Sequence, residues 1–294
     1  MLRAYFAGSI LVLLTIALIP LQAIAVARNW AIQRRIPQFY HRIACRMMGL
    51  RISIVGAPPK QRSSLIVSNH SSWIDISVIS AAAPVAFVAK HEISQWPVFG
   101  LLARLQRSIF VDRQRRCETK TVNEKIADRL VGGDPVVLFA EGTSSDGNHV
   151  LPFRSALIGA AGDALIRAGG TSQILLQPLS IAYVGLHGLP MGRRNRFRAA
   201  WCGTTDLLPH LGRVLREGGV DVVLTWGEPI PYTQQSDRKA IARTLEATVR
   251  GLTSNALRTT PRFLPFPISL PPAPVRNINA SAARWFTWLP KAIG

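Results

Sequence analysis

Cysteine is scarce in this chain. Cys45, Cys117 and Cys202 are odd in number, far apart and without a CxxC spacing, so neither a disulfide framework nor a zinc site is signalled. A reducing compartment is the simpler reading. Acidic residues are few as well: 16 Asp plus Glu stand against 35 Lys plus Arg, a net charge of +19, and 29 of the basic residues are arginine. That excess calls for an anionic partner, and the planar arginine fork suits phosphate and carboxylate better than a lysine ammonium. Nucleic acid and anionic lipid both meet the description, and charge alone does not choose between them. No Gly-x-Ser-x-Gly elbow occurs, which removes the ordinary hydrolase nucleophile. Solenoid-length repeats are absent too. With 48% hydrophobic residues in 294, the chain has ample material for a core, and disorder throughout is excluded.

Charge is missing altogether from Ala4 to Ala27, a run that passes through Ile10, Leu11, Val12, Leu13 and Leu14 to Ile24. As a helix it is long enough to cross a hydrocarbon core of about 30 Å. Residues 1–28 are therefore expected to form an N-terminal transmembrane helix, with Pro20 kinking it at most. A cleaved signal peptide is the competing reading, with Ala23-Ile24-Ala25 as its cleavage site, but the apolar run exceeds the usual length. Arg3 precedes the run, whereas Arg28, Arg34, Arg35, Arg42 and Arg46 follow it, which places the following domain in the cytoplasm. Over residues 29–50, Ile32, Ile36, Phe39, Ile43, Met47 and Leu50 recur at spacings of three and four with arginines between them. This predicts a membrane-proximal amphipathic helix, or equally one packed on the core, with Pro37 as a break point.

From Arg51 on, short apolar strands alternate with helical stretches, the mark of an α/β domain over residues 51–256. Strands are expected at Arg51 to Val55, Ser64 to Ser68, Val85 to Ala89, Ser108 to Val111, Val136 to Phe139, Ile174 to Tyr183 and Val220 to Trp226. Helices are expected at Asp75 to Ala82, Gln95 to Leu105, Glu118 to Val131 and Ser155 to Ala168, and a last one capped by Ser236 carries Ile241, Leu245, Val249 and Leu252. Residues 257–294 form a proline-rich tail, with six prolines between Pro261 and Pro274, and end in Trp285, Phe286 and Trp288. An extended strap or linker follows from that composition, with aromatics suited either to a membrane interface or to packing on the domain.

Chemistry concentrates where the strand Ser64 to Ser68 ends, in Asn69-His70-Ser71-Ser72-Trp73-Ile74-Asp75. A tight turn can return the Asp75 carboxylate to the His70 imidazole, fixing its tautomer and leaving the other nitrogen to accept a proton. His70 is thus a candidate general base with Asp75 as its orienting partner. The other five histidines lack an acid at useful spacing. The Arg193-Arg194-Asn195-Arg196-Phe197-Arg198 cluster reads most simply as a solvated loop, with docking of an acidic protein or lipid headgroups as the alternative.

The Asn-His-x-x-x-x-Asp segment resembles the first block of the lysophospholipid (1-acylglycerol-3-phosphate) acyltransferase family. Three more blocks follow in order. Lys90-His91-Glu92 with Trp96-Pro97 and Gly100, then Ile109 to Arg113, is similar to the second; Phe139-Ala140-Glu141-Gly142-Thr143 to the third; and Gln177-Pro178-Leu179-Ser180-Ile181 to the fourth. The resemblance covers roughly residues 64–183. It implies a glycerolipid acyltransferase-like fold, a mixed sheet flanked by helices, and transfer of a fatty acyl group from acyl carrier protein or coenzyme A thioester to a hydroxyl. No acyl-enzyme, metal or bound cofactor is implied; the partners are acyl carrier protein and membrane lipids, and nucleic acid is set aside because it explains neither the apolar run nor the four blocks. The implied acceptor-binding residues are Asn69, Arg113, Glu141, Gly142, Thr143, Ser144 and Arg154.

One departure bears on the acceptor. The family commonly has arginine directly after Glu-Gly-Thr, where this chain has Ser144 and then Ser145-Asp146-Gly147. Loss of a charge-assisted contact weakens selection for phosphate. The run Glu141 to Asn148, continuing through Pro152-Phe153-Arg154-Ser155, resembles the branch that acylates lyso-ornithine lipid in proteobacteria. That acceptor carries a carboxylate and an ammonium, which Arg113 or Arg154 and Asp146 would match. The expected activity is lyso-ornithine lipid O-acylation at the cytoplasmic face of a bacterial inner membrane, with 1-acyl-sn-glycerol-3-phosphate acylation as the alternative.

Overall fold

Short apolar strands build the centre of the molecule, and the computed structural model describes the chain over residues 1–59, 63–111, 119–167, 173–203 and 205–259. Strands β1 (Leu50–Val55), β2 (Ser64–Ser68), β3 (Ala86–Lys90), β4 (Ile109–Val111), β5 (Val136–Phe139), β6 (Ile174–Leu186), β7 (Leu189–Pro190), β8 (Val220–Trp226) and β9 (Ile230–Tyr232) form one sheet. Its order is β1-β8-β6-β2-β5-β3-β4, with β7 and β9 also paired to β6. Pairing is parallel from β6 through β4, while β7, β8 and β9 run antiparallel to β6, so the sheet is mixed.

Successive side chains on a strand enter opposite cores. Leu65 and Val67 on β2 face the layer of α5 (Thr119–Val131), α6 (Ser155–Arg167) and α9 (Arg238–Arg258), where Ile126, Ile158 and Leu245 are fully buried. Ile66 faces the opposite layer of α2 (Arg35–Met48), α3 (Ile74–Ala82) and α8 (Leu207–Glu217), with Cys45, Ile74, Val78 and Val214. Each such aliphatic side chain contributes about 1.5–3 kcal/mol by leaving water. A sheet covered on both faces explains why β2 and β5 read as unbroken apolar runs.

Two helices occupy other positions. The helix α1 (Leu2–Ala27), largely apolar and charged only at Arg3, lies along the outside of the α2 layer. At one end the Arg3 guanidinium donates to the Leu215 and Met47 carbonyls; midway Thr15 Oγ1 lies 3.1 Å from Tyr40 Oη; at the other end Gln22 Nε2 donates to Gln33 O and Leu105 O. The outward side of α1 is bare, exposing Phe6, Val12, Leu13, Ile16 and Ile24. Pro20 is accommodated within it. The helix α4 (Pro97–Leu105) follows a short 3-10 turn at His91–Gln95, so it begins at Pro97, two residues after the expected start at Gln95.

Several expectations shift. The amphipathic helix expected over residues 29–50 is a 3-10 turn at Ala31–Arg34 followed by α2, whose inward face is Ile36, Ala44, Cys45 and Met48, whereas Ile32 of the turn and Phe39 are exposed: the inner stripe is rotated from the one read off the spacing, because the small Ala44 and Cys45 allow close approach to α3. Pro37 does not break α2, since it falls in the first turn, where no intrahelical N–H is needed. The cap of α9 is Asp237, which accepts from the Lys239 N–H, while Ser236 Oγ accepts from Thr233 N–H. The α8 and β9 elements were not expected; α8 carries Pro209 in its first turn and Gly212 inside it. The tail beyond residue 259, with its tryptophans, lies outside the described residues.

Candidate active site

The β2 and β5 strands end side by side, Ser68 paired with Phe139, and their carboxyl ends carry the first and third sequence blocks. After Ser68 the chain turns tightly into α3, with Asp75 in its first turn. The Asp75 carboxylate is fully buried. Its Oδ2 accepts the His70 Nδ1–H at 2.9 Å and the backbone N–H groups of Ser71 at 2.7 Å and Ser72 at 2.9 Å; its Oδ1 accepts the Tyr183 hydroxyl at 2.5 Å. The five-residue spacing therefore wraps a loop round the carboxylate, which bonds the loop's own amides as well as the imidazole. With Nδ1 donating, Nε2 carries the lone pair, and no described residue bonds it. The ring stacks on Phe139, centroids 4.0 Å apart, and its side chain remains 18% exposed. A neutral imidazole held this way can accept a proton from a hydroxyl at its open edge.

The expected binding residues divide. Asn69 is buried and uses both ends of its amide on one residue of β6, donating to Ile181 O and accepting Ile181 N–H, each at 2.9 Å. Glu141 is likewise buried, 3% exposed, with Oε1 accepting Leu151 N–H at 3.3 Å and Oε2 without a hydrogen-bond partner among the described residues. Burial pushes its carboxyl up to about 8, so it is largely protonated at neutral pH and is no anionic contact. Both side chains thus brace the site from within. Gly142 has a φ of +76°, and a Cβ there would lie 2.7 Å from Arg154 Nε, so the turn and the close approach both require glycine. Arg154 lies against that backbone with its side chain exposed; Thr143 is exposed and Ser144 half-buried beside it. Arg113 lies outside the described residues.

The loop from Ser144 to Arg154 is fastened from several sides, which sequence reasoning missed. Ser145 donates to the His70 carbonyl from its backbone N–H at 2.8 Å and from Oγ at 3.1 Å. Asn148 donates twice to Asp146, and these donors outweigh partial burial to hold the Asp146 carboxyl below its ordinary range. Arg196 is buried and donates to Asn148 Oδ1 at 2.7 Å, and Arg198 pairs with Glu217 at 3.0 Å. That corrects the reading of the arginine cluster as a solvated loop: tertiary partners are supplied by the third block and by α8, and of its four arginines only Arg193 and Arg194, on the short helix α7 (Gly192–Asn195), are exposed. From α9, Arg250 donates to Val150 O and Glu246 accepts Phe153 N–H. Two other histidines have structural roles. His41 bridges Ser77 and Gln106, and burial lowers it to about 4; buried His210 accepts the Trp73 indole N–H.

Comparison with known proteins points the same way. Residues 51–182 match the family model described as Acyltransferase. The chain is 48% identical over 256 residues to a lyso-ornithine lipid O-acyltransferase of Brucella abortus, covering 87% of this chain and 96% of that protein. It is 42% identical over 256 residues to the protein of the same description from Rhizobium meliloti, covering 87% of each. The crystal structure of the 1-acyl-sn-glycerophosphate (LPA) acyltransferase PlsC from Thermotoga maritima matches with a TM-score of 0.58 at 21% identity, over 86% of this chain and 93% of that one, a likeness of fold.

Proposed function

Because this chain belongs to the acyltransferase family that includes the lyso-ornithine lipid O-acyltransferases, we propose that it acylates the free hydroxyl of lyso-ornithine lipid, with acyl carrier protein thioester as donor. His70 Nε2 takes the proton of the acceptor hydroxyl as its oxygen attacks the thioester carbonyl. Asp75 stabilises the imidazolium so formed. Collapse of the tetrahedral adduct expels the thiolate, which recovers the proton from His70, leaving ester and thiol. A thioester is electrophilic enough for one positioned base to serve without an acyl-enzyme.

The observation that carries the acceptor assignment is the composition of the rim of the third block. Ser144 is neutral where the resemblance places arginine, Arg154 lies exposed against Gly142, and Asp146 is held ionised a few residues on. One cation and one anion suit an amino-acid headgroup better than a phosphate. Membrane association rests on the bare apolar side of α1 and on Ile32 and Phe39 of the neighbouring segment. The inner membrane and its cytoplasmic face are the proposed location, in keeping with the proposed thioester donor.

Membranes containing the protein, given labelled acyl carrier protein or acyl-coenzyme A with lyso-ornithine lipid or lysophosphatidic acid, test this reading. Labelled ornithine lipid is expected, and its loss in His70→Ala. Labelled phosphatidic acid alone would return the acceptor to glycerophosphate and make Ser144 incidental. Transfer surviving His70→Ala would remove the base.

A further inference from the structure

The His70–Asp75 pair has a third member that no sequence block contains. Tyr183 lies on β6, is 2% exposed, and donates its hydroxyl to Asp75 Oδ1 at 2.5 Å, the carboxylate oxygen that His70 does not use. A phenylalanine would fill the same volume in the core layer shared with Ile74, Val78 and Phe139. A buried hydroxyl is costly unless it is paired, and here the partner is a charged carboxylate with no access to water. The position is also enforced. Asn69, directly before the base, clamps Ile181 through both its amide atoms. Strand residues two apart share a face, so fixing Ile181 against the end of β2 delivers Tyr183 to the Asp75 side.

We propose that Tyr183 is a positioning residue that sets the pH range of the base: by donating to Asp75 it draws off part of the carboxylate charge and so keeps His70 from retaining its proton. Three N–H donors already serve Oδ2, two of them backbone amides that no side-chain change removes. Tyr183 alone adjusts Oδ1. Without it the carboxylate's charge falls more fully on the imidazole, and the pair holds a proton to higher pH whichever member carries it. Burial beside Asp75 keeps the phenol protonated far above neutrality, so the donor persists throughout. The other titratable groups facing the pair are Cys45 from α2, a thiol pushed up to about 12 by burial, and Glu141 from the loop after β5, which feels Arg250 of α9. Cys45 is silent near neutrality, and Glu141 is common to every variant, so a difference between variants reports Tyr183.

The test reads His70 without any acceptor or donor lipid, so its result is independent of the proposed substrate. Diethyl pyrocarbonate modifies neutral imidazole, and the rate at His70 is followed by mass spectrometry of its peptide from about pH 5 to about pH 9. In Tyr183→Phe the midpoint is expected to rise by about one pH unit, the scale of a hydrogen bond to a charged group. Ring-fluorinated tyrosine incorporated at position 183, a stronger donor of nearly the same shape, should move it down. This second protein also carries the test if Tyr183→Phe does not fold. The acid limb of acyl transfer should move by the same amount and in the same direction as each midpoint. Unmoved midpoints in folded protein, or two shifts of the same sign, would overturn the proposal and leave Tyr183 as packing.

Discussion

Replacing Asp75 with asparagine separates the charge of this site from its shape. In the structure, Oδ2 accepts three N–H donors and Oδ1 accepts one hydroxyl. An asparagine oxygen in the Oδ2 position keeps all three donors, and its amide nitrogen can face the Tyr183 oxygen, so the loop from Asn69 to Ile74 should hold its turn. What disappears is the attraction between carboxylate and imidazolium as the proton arrives. At an effective dielectric near 20 and a charge separation of about 4 Å, that attraction is about 4 kcal/mol. At about 1.4 kcal/mol per decade, Asp75→Asn should slow transfer about a thousandfold. The protonated imidazole also loses its partner, so the acid limb of the pH profile should move to lower pH. Single-turnover transfer from a preformed acyl carrier protein thioester isolates the chemical step, and thermal melting checks the fold. A loss of less than about tenfold in protein that melts normally would refute the account of Asp75 as an electrostatic partner.

Two further predictions address stability and the membrane. Glu141 has a folded value of about 8 against an ordinary 4.5. Between them the folded chain keeps a proton that the unfolded chain has released, so its contribution is present below the lower value and is lost as pH rises through the upper one. Glu141→Gln should therefore melt with wild type at about pH 4.5 and several degrees above it at about pH 8; a pH-independent difference would mean that Glu141 does not titrate there. Leu13→Arg with Ile16→Arg puts two charges on the bare side of α1, where these residues are 66% and 63% exposed. At about 2.5–3.5 kcal/mol per arginine in hydrocarbon, much of the protein should leave the membrane pellet while α1 keeps its domain contacts. Unchanged sedimentation would show that this side does not carry the association.

The order of expected and observed elements shows which forces act along the chain and which across it. Central strands were legible because burial on both faces demands mostly apolar residues, continuous in β5 and in Leu65 to Val67 of β2 and interrupted in β8 only at Asp221, which pairs with Arg51, and at Thr225. Helices α5, α6 and α9 were legible because each presents a stripe at helical period to one side of the sheet, whereas α3, enclosed between the sheet and α2, is buried nearly all round. The helix α8 was not legible, since Pro209 in a first turn and Gly212 look like breakers until the structure shows which N–H groups are needed. The inward stripe of α2 was misplaced for a related reason: Phe39 is as apolar as Ile36, and only the presence of α3 on one side decides which is buried. Expected roles at the rim shifted similarly. Asn69 and Glu141 look like ligand-binding groups in sequence, but the strands beside them occupy the Asn69 amide and enclose the Glu141 carboxyl.

Local order along the chain is enough to give the alternating α/β pattern, the apolar N-terminal helix and the pairing of His70 with Asp75, because each depends on neighbours within a few residues. Long-range packing makes Ser145 brace the base, Arg196 hold the acceptor loop through Asn148 and Tyr183 complete the carboxylate's shell. Those contacts join residues 75, 48 and 108 positions apart. No periodicity encodes them; they follow from the register of β2 against β6 and from the turns after β2 and β5, which packing of the two helical layers imposes.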